Sequence, residues 1–333
     1  MSRTPLPDLA ASGASACPAG ERGESGHGQA GLGQSSLGQS SLGPSLAALV
    51  AGAVAMGLSP VLVRFVSPEV GPFASAFWRV ALALPVLWAW MRWEEARSPH
   101  LRRGLTPSAV LAGLAFSGDL LFWHLAILGT TVANATFFAT TAPVFVVLFA
   151  WIGLRRRPAG RTLAGLLVCL LGGATLVGQS VQVDPARLAG DRDGVFTALF
   201  FALYFLTVER ARARGLGAAR VTFTASCITA LVLLGAVAVL ETRPVLPQTL
   251  GAALGLLALA LVSHAGGQGL LSVALGRLPA GFSSLVIFLE AVAAAILAWL
   301  LLGEALGTLQ VLGGGLILAG IAVARPRRSA PMA

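Results

Sequence analysis

Six side chains break into long apolar runs at positions where chemistry can be done: Arg79, Asp119, Trp123, His264, Gln268 and Glu290. Arg79 sits in FASAFWRVALAL, Asp119 and Trp123 in LAFSGDLLFWH, His264 and Gln268 in LVSHAGGQG, and Glu290 in VIFLEAVAAA. An ionisable group inside an apolar span costs about 2.5–3.5 kcal/mol on insertion scales, so it faces a protein interior or a water-filled path. Each of the six carries two readings. Arg79 either holds an anionic group of a solute or pairs with an interior carboxylate, or else it snorkels to the outer interface or ties helices together. Asp119 suits proton binding and release, because loss of water penalises its charged form; otherwise it is a permanent partner of Arg79. Glu290 either exchanges a proton or cation, or completes an ion pair with an arginine. At about 100° per residue, Trp123 shares a helical face with Asp119, while His124 points about 140° away. His264 and Gln268 lie one turn apart, and Gly266, Gly267 and Gly269 around them permit close approach or local unwinding. That pair suits a binding site at discontinuous helices, or else interhelical hydrogen bonds averaging about 0.6 kcal/mol.

Two prolines are candidate helix breaks, Pro60 in GLSPVLV and Pro143 in ATTAPVF. Proline lacks an N–H and leaves carbonyls of the preceding turn in need of other partners. Such breaks either line a cavity or hinge it, or they only shape packing. Arg64, close to the end of its apolar run, is expected to snorkel.

The elements holding these residues follow from composition. The chain is 56% apolar and 11% charged, with a mean hydropathy of +0.81. A soluble domain carries about 25% charged residues, so lipid is the expected solvent. All 23 basic residues are arginine, which removes P-loop chemistry and its lysine. The net charge of +9 invites a nucleic-acid partner, but the arginines sit between apolar runs, as positive membrane loops do; no nucleic acid is expected. Cys17, Cys169 and Cys227 have no metal-ligand or CxxC spacing. No metal and no cofactor are expected.

A spanning helix needs about 20 largely apolar residues. Ten runs qualify: 46–66, 72–91, 107–128, 132–153, 160–178, 194–208, 221–240, 249–273, 280–302 and 307–324. Run 194–208 is the weakest, being short and carrying Tyr204. Arginine-rich links (Arg92 to Arg103, Arg155 to Arg161, Arg210 to Arg220, Arg277, and Arg325 onward) alternate with poor or acid-diluted ones. By the positive-inside rule this alternation requires an even number of spans and both termini in the cytoplasm. Residues 1–44, rich in Gly, Ser, Pro and Gln, read as a disordered tail. Residues 326–333 read as a short basic cytoplasmic tail.

The runs also repeat. Trp151 and Trp299 stand 148 positions apart, and the same offset pairs Val144 with Val292, Gly165 with Gly313 and Gly172 with Gly320. The expected fold is therefore an all-α integral membrane protein of ten helices, in two five-helix repeats, 45–178 and 192–325. An odd number of spans per repeat inserts the second copy upside down, the inverted architecture of secondary transporters with a midplane site.

FWRVALALP (77–85), TTAPVFVVLFAWIGL (140–154), LEAVAAAILAWLLLGE (289–304) and GGGLILAG (313–320) give the chain a resemblance to the EamA-type permeases of the drug/metabolite transporter superfamily. The resemblance covers roughly residues 46–325. It implies ten helices, movement of small metabolites and no ATP hydrolysis. Two positions depart from the pattern: Arg156 stands where the repeat pairs it with Glu304, and Ala291 stands opposite Pro143. Glu304 itself is expected to cap the last helix. The expected function is alternating-access transport, as an exporter, of small metabolites, amino acids or drug-like compounds, with protons as candidate coupling ion. A non-transporting scaffold and an intramembrane lipid-modifying enzyme are the alternatives; no HExxH or GxSxG motif is present for the latter. Membrane lipid and a small-molecule substrate are the expected partners, with the protein a monomer or homodimer. The lysine-free, Arg-, Ala- and Gly-rich composition points to a GC-rich bacterial genome, hence to a bacterial inner membrane.

Overall fold

A computed structural model describes residues 42–130, 132–178, 185–302 and 307–325. The tail preceding Leu42, Glu304 and the segment 326–333 lie outside the described residues. Residues 42–44, expected in the tail, begin the first helix.

The described residues form helices and no strand; a single backbone bridge joins Arg102 to Leu216. In chain order the helices are α1 (Leu42–Gly57), α2 (Ser59–Val70), α3 (Pro72–Ala81), α4 (Leu84–Arg97), α5 (Pro107–Gly129), α6 (Val132–Thr140), α7 (Ala142–Ile152) and α8 (Gly160–Val177). The second half contains α9 (Leu188–Ala213), α10 (Ala218–Leu240), α11 (Leu250–Ala258), a π-helical stretch (Leu259–Gln268), α12 (Gly269–Ala274), α13 (Ala280–Val286), α14 (Phe288–Leu302) and α15 (Thr308–Ala324). Many of these segments run on from one another. Among the described residues, 8 continuous stretches are long and apolar enough to cross a membrane, and α8 and α15 are shorter apolar helices. The weakest expected run belongs to the 26-residue α9. Tyr204, the residue that weakened it, is buried with its ring 4.9 Å from that of Phe116.

The breaks within spans have local causes. α1 stops at Gly57 and α2 restarts with Pro60 in its first turn. α6 stops at Thr140 and α7 restarts with Pro143 in its first turn. A proline fits the first turn of a helix, where its missing N–H is not needed. Around Pro143 the hydroxyls of Thr140 and Thr141 donate to the carbonyls of Phe137 and Phe138, at 2.8 and 2.6 Å. Pro85 opens α4 in the same way. The interruption at Ile287, between α13 and α14, has no proline.

Small residues decide the packing. α8 and α15 cross at glycines: a Cβ on Gly165 would meet the carbonyl oxygen of Gly320 at 2.6 Å, and one on Gly172 would meet that of Gly313 at 2.8 Å. The rising order of one helix meets the falling order of the other, so the two run antiparallel. In lipid, where apolar surface gives helices no reason to associate, such close backbone approach supplies the attraction. α5 packs on α9, α1 on the π stretch and α12, α3 and α4 on α10, α6 and α7 on α9, and α14 on α1. The core holds Phe116, Tyr204, Phe205 and Phe288, whereas Leu111, Leu167, Leu231 and Leu318 point outward.

Candidate functional site

The breaks and the α5–α9 pair surround a narrow cavity of about 30 Å³. Arg79 reaches it from α3, Asp119 and Trp123 from α5, Gln268 from the end of the π stretch, and Glu290 from the first turn of α14. Ser59, Thr140 and Ile287 line it from the three breaks in α1–α2, α6–α7 and α13–α14. Thr197 and Phe201 of α9 close it, in the run that looked weakest from sequence.

Arg79 is the fixed point of the site. It is 4% exposed, and its guanidinium donates to the Ser59 hydroxyl at 2.9 Å and to the Ser263 hydroxyl at 3.3 Å. Its Cζ lies 5.6 Å from the centre of the Trp123 ring, a cation–π contact of about 0.5–2 kcal/mol.

Asp119 and Glu290 both act electrostatically on this guanidinium. Neither forms an ion pair with it within 4.0 Å, and neither accepts a hydrogen bond from any described residue. One guanidinium therefore faces two carboxyl groups across open space. Nε of Arg79 and Oε1 of Gln268 are buried without a hydrogen-bond partner. Buried polar groups are ordinarily satisfied, so the site holds unused hydrogen-bonding capacity as well as unpaired charge.

His264 is set back from the cavity. Its Nε2 lies 2.8 Å from the Ser226 hydroxyl, and its ring stacks on Phe116 at 5.3 Å. The glycine-rich stretch around it widens into a π turn, a form frequent at functional sites, and that turn carries Ser263 and Gln268 to the cavity's Arg79 and wall. His124, as expected, does not join Asp119; its Nδ1 pairs with the carbonyl of Leu120 at 2.8 Å. Arg64 is exposed. Sequence reasoning did not find Ser263, Thr136, Thr197 or the break at Ile287. Ser263 had one signal, its place beside His264. Hydroxyls are too common in spans for the others to stand out.

A multi-pass membrane protein with a charged cavity enclosed by broken spans is the class that fold and site define. The comparisons sharpen it. A family model described as the EamA-like transporter family matches residues 43–178 and again 194–325. A protein of Archaeoglobus fulgidus named as an uncharacterized transporter is 30% identical over 154 residues, which is 43% of this chain and 50% of that protein. The match thus spans about half the length of this relative. A crystal structure aligns with a TM-score of 0.72 over 85% of this chain and 98% of its own, at 18% identity, a likeness of fold. The chain belongs to the EamA-like transporter family, within the drug/metabolite transporter superfamily.

Proposed function

We propose that this protein is a secondary transporter that exports small metabolites, amino acids or drug-like compounds by alternating access, with protons as the coupling ion. The observation that carries the reading is the cavity itself. Arg79, Asp119 and Glu290 face a common space without pairing, among spans broken at that level. A structural ion cluster would close its pairs, because unpaired charge away from water is costly. Here one carboxyl group is in surplus, and a proton or a cationic solute compensates it.

The reading includes ten spans as two inverted repeats, 45–178 and 192–325, with α8 and α15 completing each set of five. Two observations support it. The main helix contacts correspond when the halves are exchanged: α8–α15 and the α3/α4–α10 pair map onto themselves, and α5–α9 maps onto the contact of α1 with the π stretch and α12. The glycine contacts between Gly165 and Gly320 and between Gly172 and Gly313 exchange in the same operation. Both termini lie in the cytoplasm of a bacterial cell, and the protein works as a monomer or homodimer without nucleic acid.

The test is a solute-export screen in proteoliposomes, comparing wild type with Asp119→Asn and Glu290→Gln. Proton-driven movement of a solute by wild type, lost in both variants, is the expected result. Full transport by both variants at every pH would remove the proton linkage. Wild-type protein that moves no solute under any ion gradient would remove the transporter reading.

A further inference from the structure

A second cavity, of about 370 Å³, lies at the end of the spans where α7 leads into α8. Its walls are apolar: Val147 and Ala150 of α7, Leu206 of α9, Phe282 of α13 and Ala324 of α15. Its rim carries Arg156, Arg157, Arg161 and Arg325. Arg156 is paired with Glu209 at 3.0 Å. Glu209 is further committed, accepting from the backbone N–H of Ala280 at 3.1 Å. The guanidinium groups of Arg157, Arg161 and Arg325 have no hydrogen bond or ion pair among the described residues. Three unneutralised cations thus ring one greasy pit assembled from five helices and the link between α7 and α8.

We propose that this cavity is a binding site for an anionic phospholipid, its phosphate held by Arg157, Arg161 and Arg325 and an acyl chain lying against Val147, Leu206 and Phe282. Charge selects the headgroup: basic pockets between spans at the membrane surface suit anionic lipids, each arginine contributing about fivefold in affinity. The walls select a lipid over a soluble phosphate, which would leave the apolar surface wet. Trp151 and Ile152, 55% and 70% exposed beside Ala150, present the same end of α7 to the hydrocarbon. Arg155, at φ 52°, turns the chain sharply after α7 and folds Arg156 and Arg157 back over it, with the Arg156 N–H donating to the Ala150 carbonyl at 2.8 Å. The site is separate from the charged central cavity. A lipid there braces α7, α9, α13 and α15 at one membrane face.

The test uses full-length protein in detergent, titrated in three arms with phosphatidylglycerol, phosphatidylcholine of the same acyl chains, and inorganic phosphate. Thermal unfolding and native mass spectrometry are the readouts. Phosphatidylglycerol is expected to raise the unfolding midpoint and remain bound, and the other two probes are not. Arg157→Gln with Arg161→Gln weakens that binding by about 25-fold, from about fivefold per arginine. Arg92→Gln with Arg102→Gln, in a basic link elsewhere, leaves it unchanged. Ala150→Trp, which fills the pit and keeps every arginine, expels the lipid. Equal retention of phosphatidylcholine, displacement of phosphatidylglycerol by inorganic phosphate, equal loss in the Arg92/Arg102 control, or retention by the filled variant each overturns the proposal. Because the readout is binding, its failure leaves the transport reading of the central cavity untouched.

Discussion

At the ends of the spans, Glu94 accepts hydrogen bonds from the N–H groups of Ala218 and Ala219, and Glu241 from those of Phe73 and Ala74, all at 3.0 Å. In the middle of the molecule, Asp119 and Glu290 accept none from any described residue. Each end carboxylate sits on the first turn of a helix from the other half: Glu94 caps α10, and Glu241 caps α3. There it meets both the orphan N–H groups and the positive end of the helix dipole. Glycine makes the room. A Cβ on Gly217 would run into the Glu94 carboxylate, and one on Gly71 into that of Glu241. Glu69 acts one step earlier, accepting from the N–H groups of Gln248 and Thr249 just before α11, where Thr249 is the residue that caps the helix. The contrast separates two uses of one chemical group. A carboxylate saturated by backbone donors holds helices in place. A carboxyl group facing a cavity beside an arginine it does not touch has no such partner among the described residues.

Mutations can break or sharpen that contrast. The largest effect belongs to Arg79→Ala, which removes the one cation among the described residues that line the cavity and leaves Ser59 and Ser263 without their donor. Transport falls to background in a proteoliposome exchange assay while the protein still assembles in the membrane; retained transport would put Arg79 with the structural charges. Next come Gly172→Leu and Gly320→Leu. Both press a side chain onto backbone at 2.8 Å, and overpacking costs about 1–3 kcal/mol, read from denaturant unfolding. Glu94→Ala and Glu241→Ala each cost about 1 kcal/mol, as lost caps do. Together they add to within about 0.5 kcal/mol, because they act at separate helix starts. Solute specificity stays that of wild type; a change of specificity in either would erase the distinction between ends and centre. The smallest effect is Arg64→Ala, an exposed position, at under about 0.5 kcal/mol in the same unfolding measurement.

The central site was partly legible before any coordinates. Charge inside an apolar run is expensive enough to mark itself, and Arg79, Asp119, Gln268 and Glu290 all line the cavity, as does Trp123. Pro60 and Pro143 announced two of its breaks because proline cannot continue a helix. His264 does not line the cavity, for a physical reason. Periodicity says which residues share a helical face, but not where that face ends against its neighbours. Ser226 and Phe116 take the histidine, and the cavity takes Gln268, a few residues along. The end caps were not legible at all. Glu94 and Ala218 are 124 positions apart, and nothing local to either names the other.

The order of apolar runs, their duplication and the arginine-rich links between them were set by composition and spacing alone. Those features depend on the transfer of side chains between water and lipid, which each residue pays individually. Which carboxylates stay unpaired was decided by tertiary packing. That choice depends on whether a donor from a distant helix arrives within about 3 Å, and at Ala218 and Phe73 donors arrive, while at Asp119 and Glu290 they do not. The break at Ile287 was not legible either: Ala291 stands where the first half has Pro143, and no proline marks the interruption.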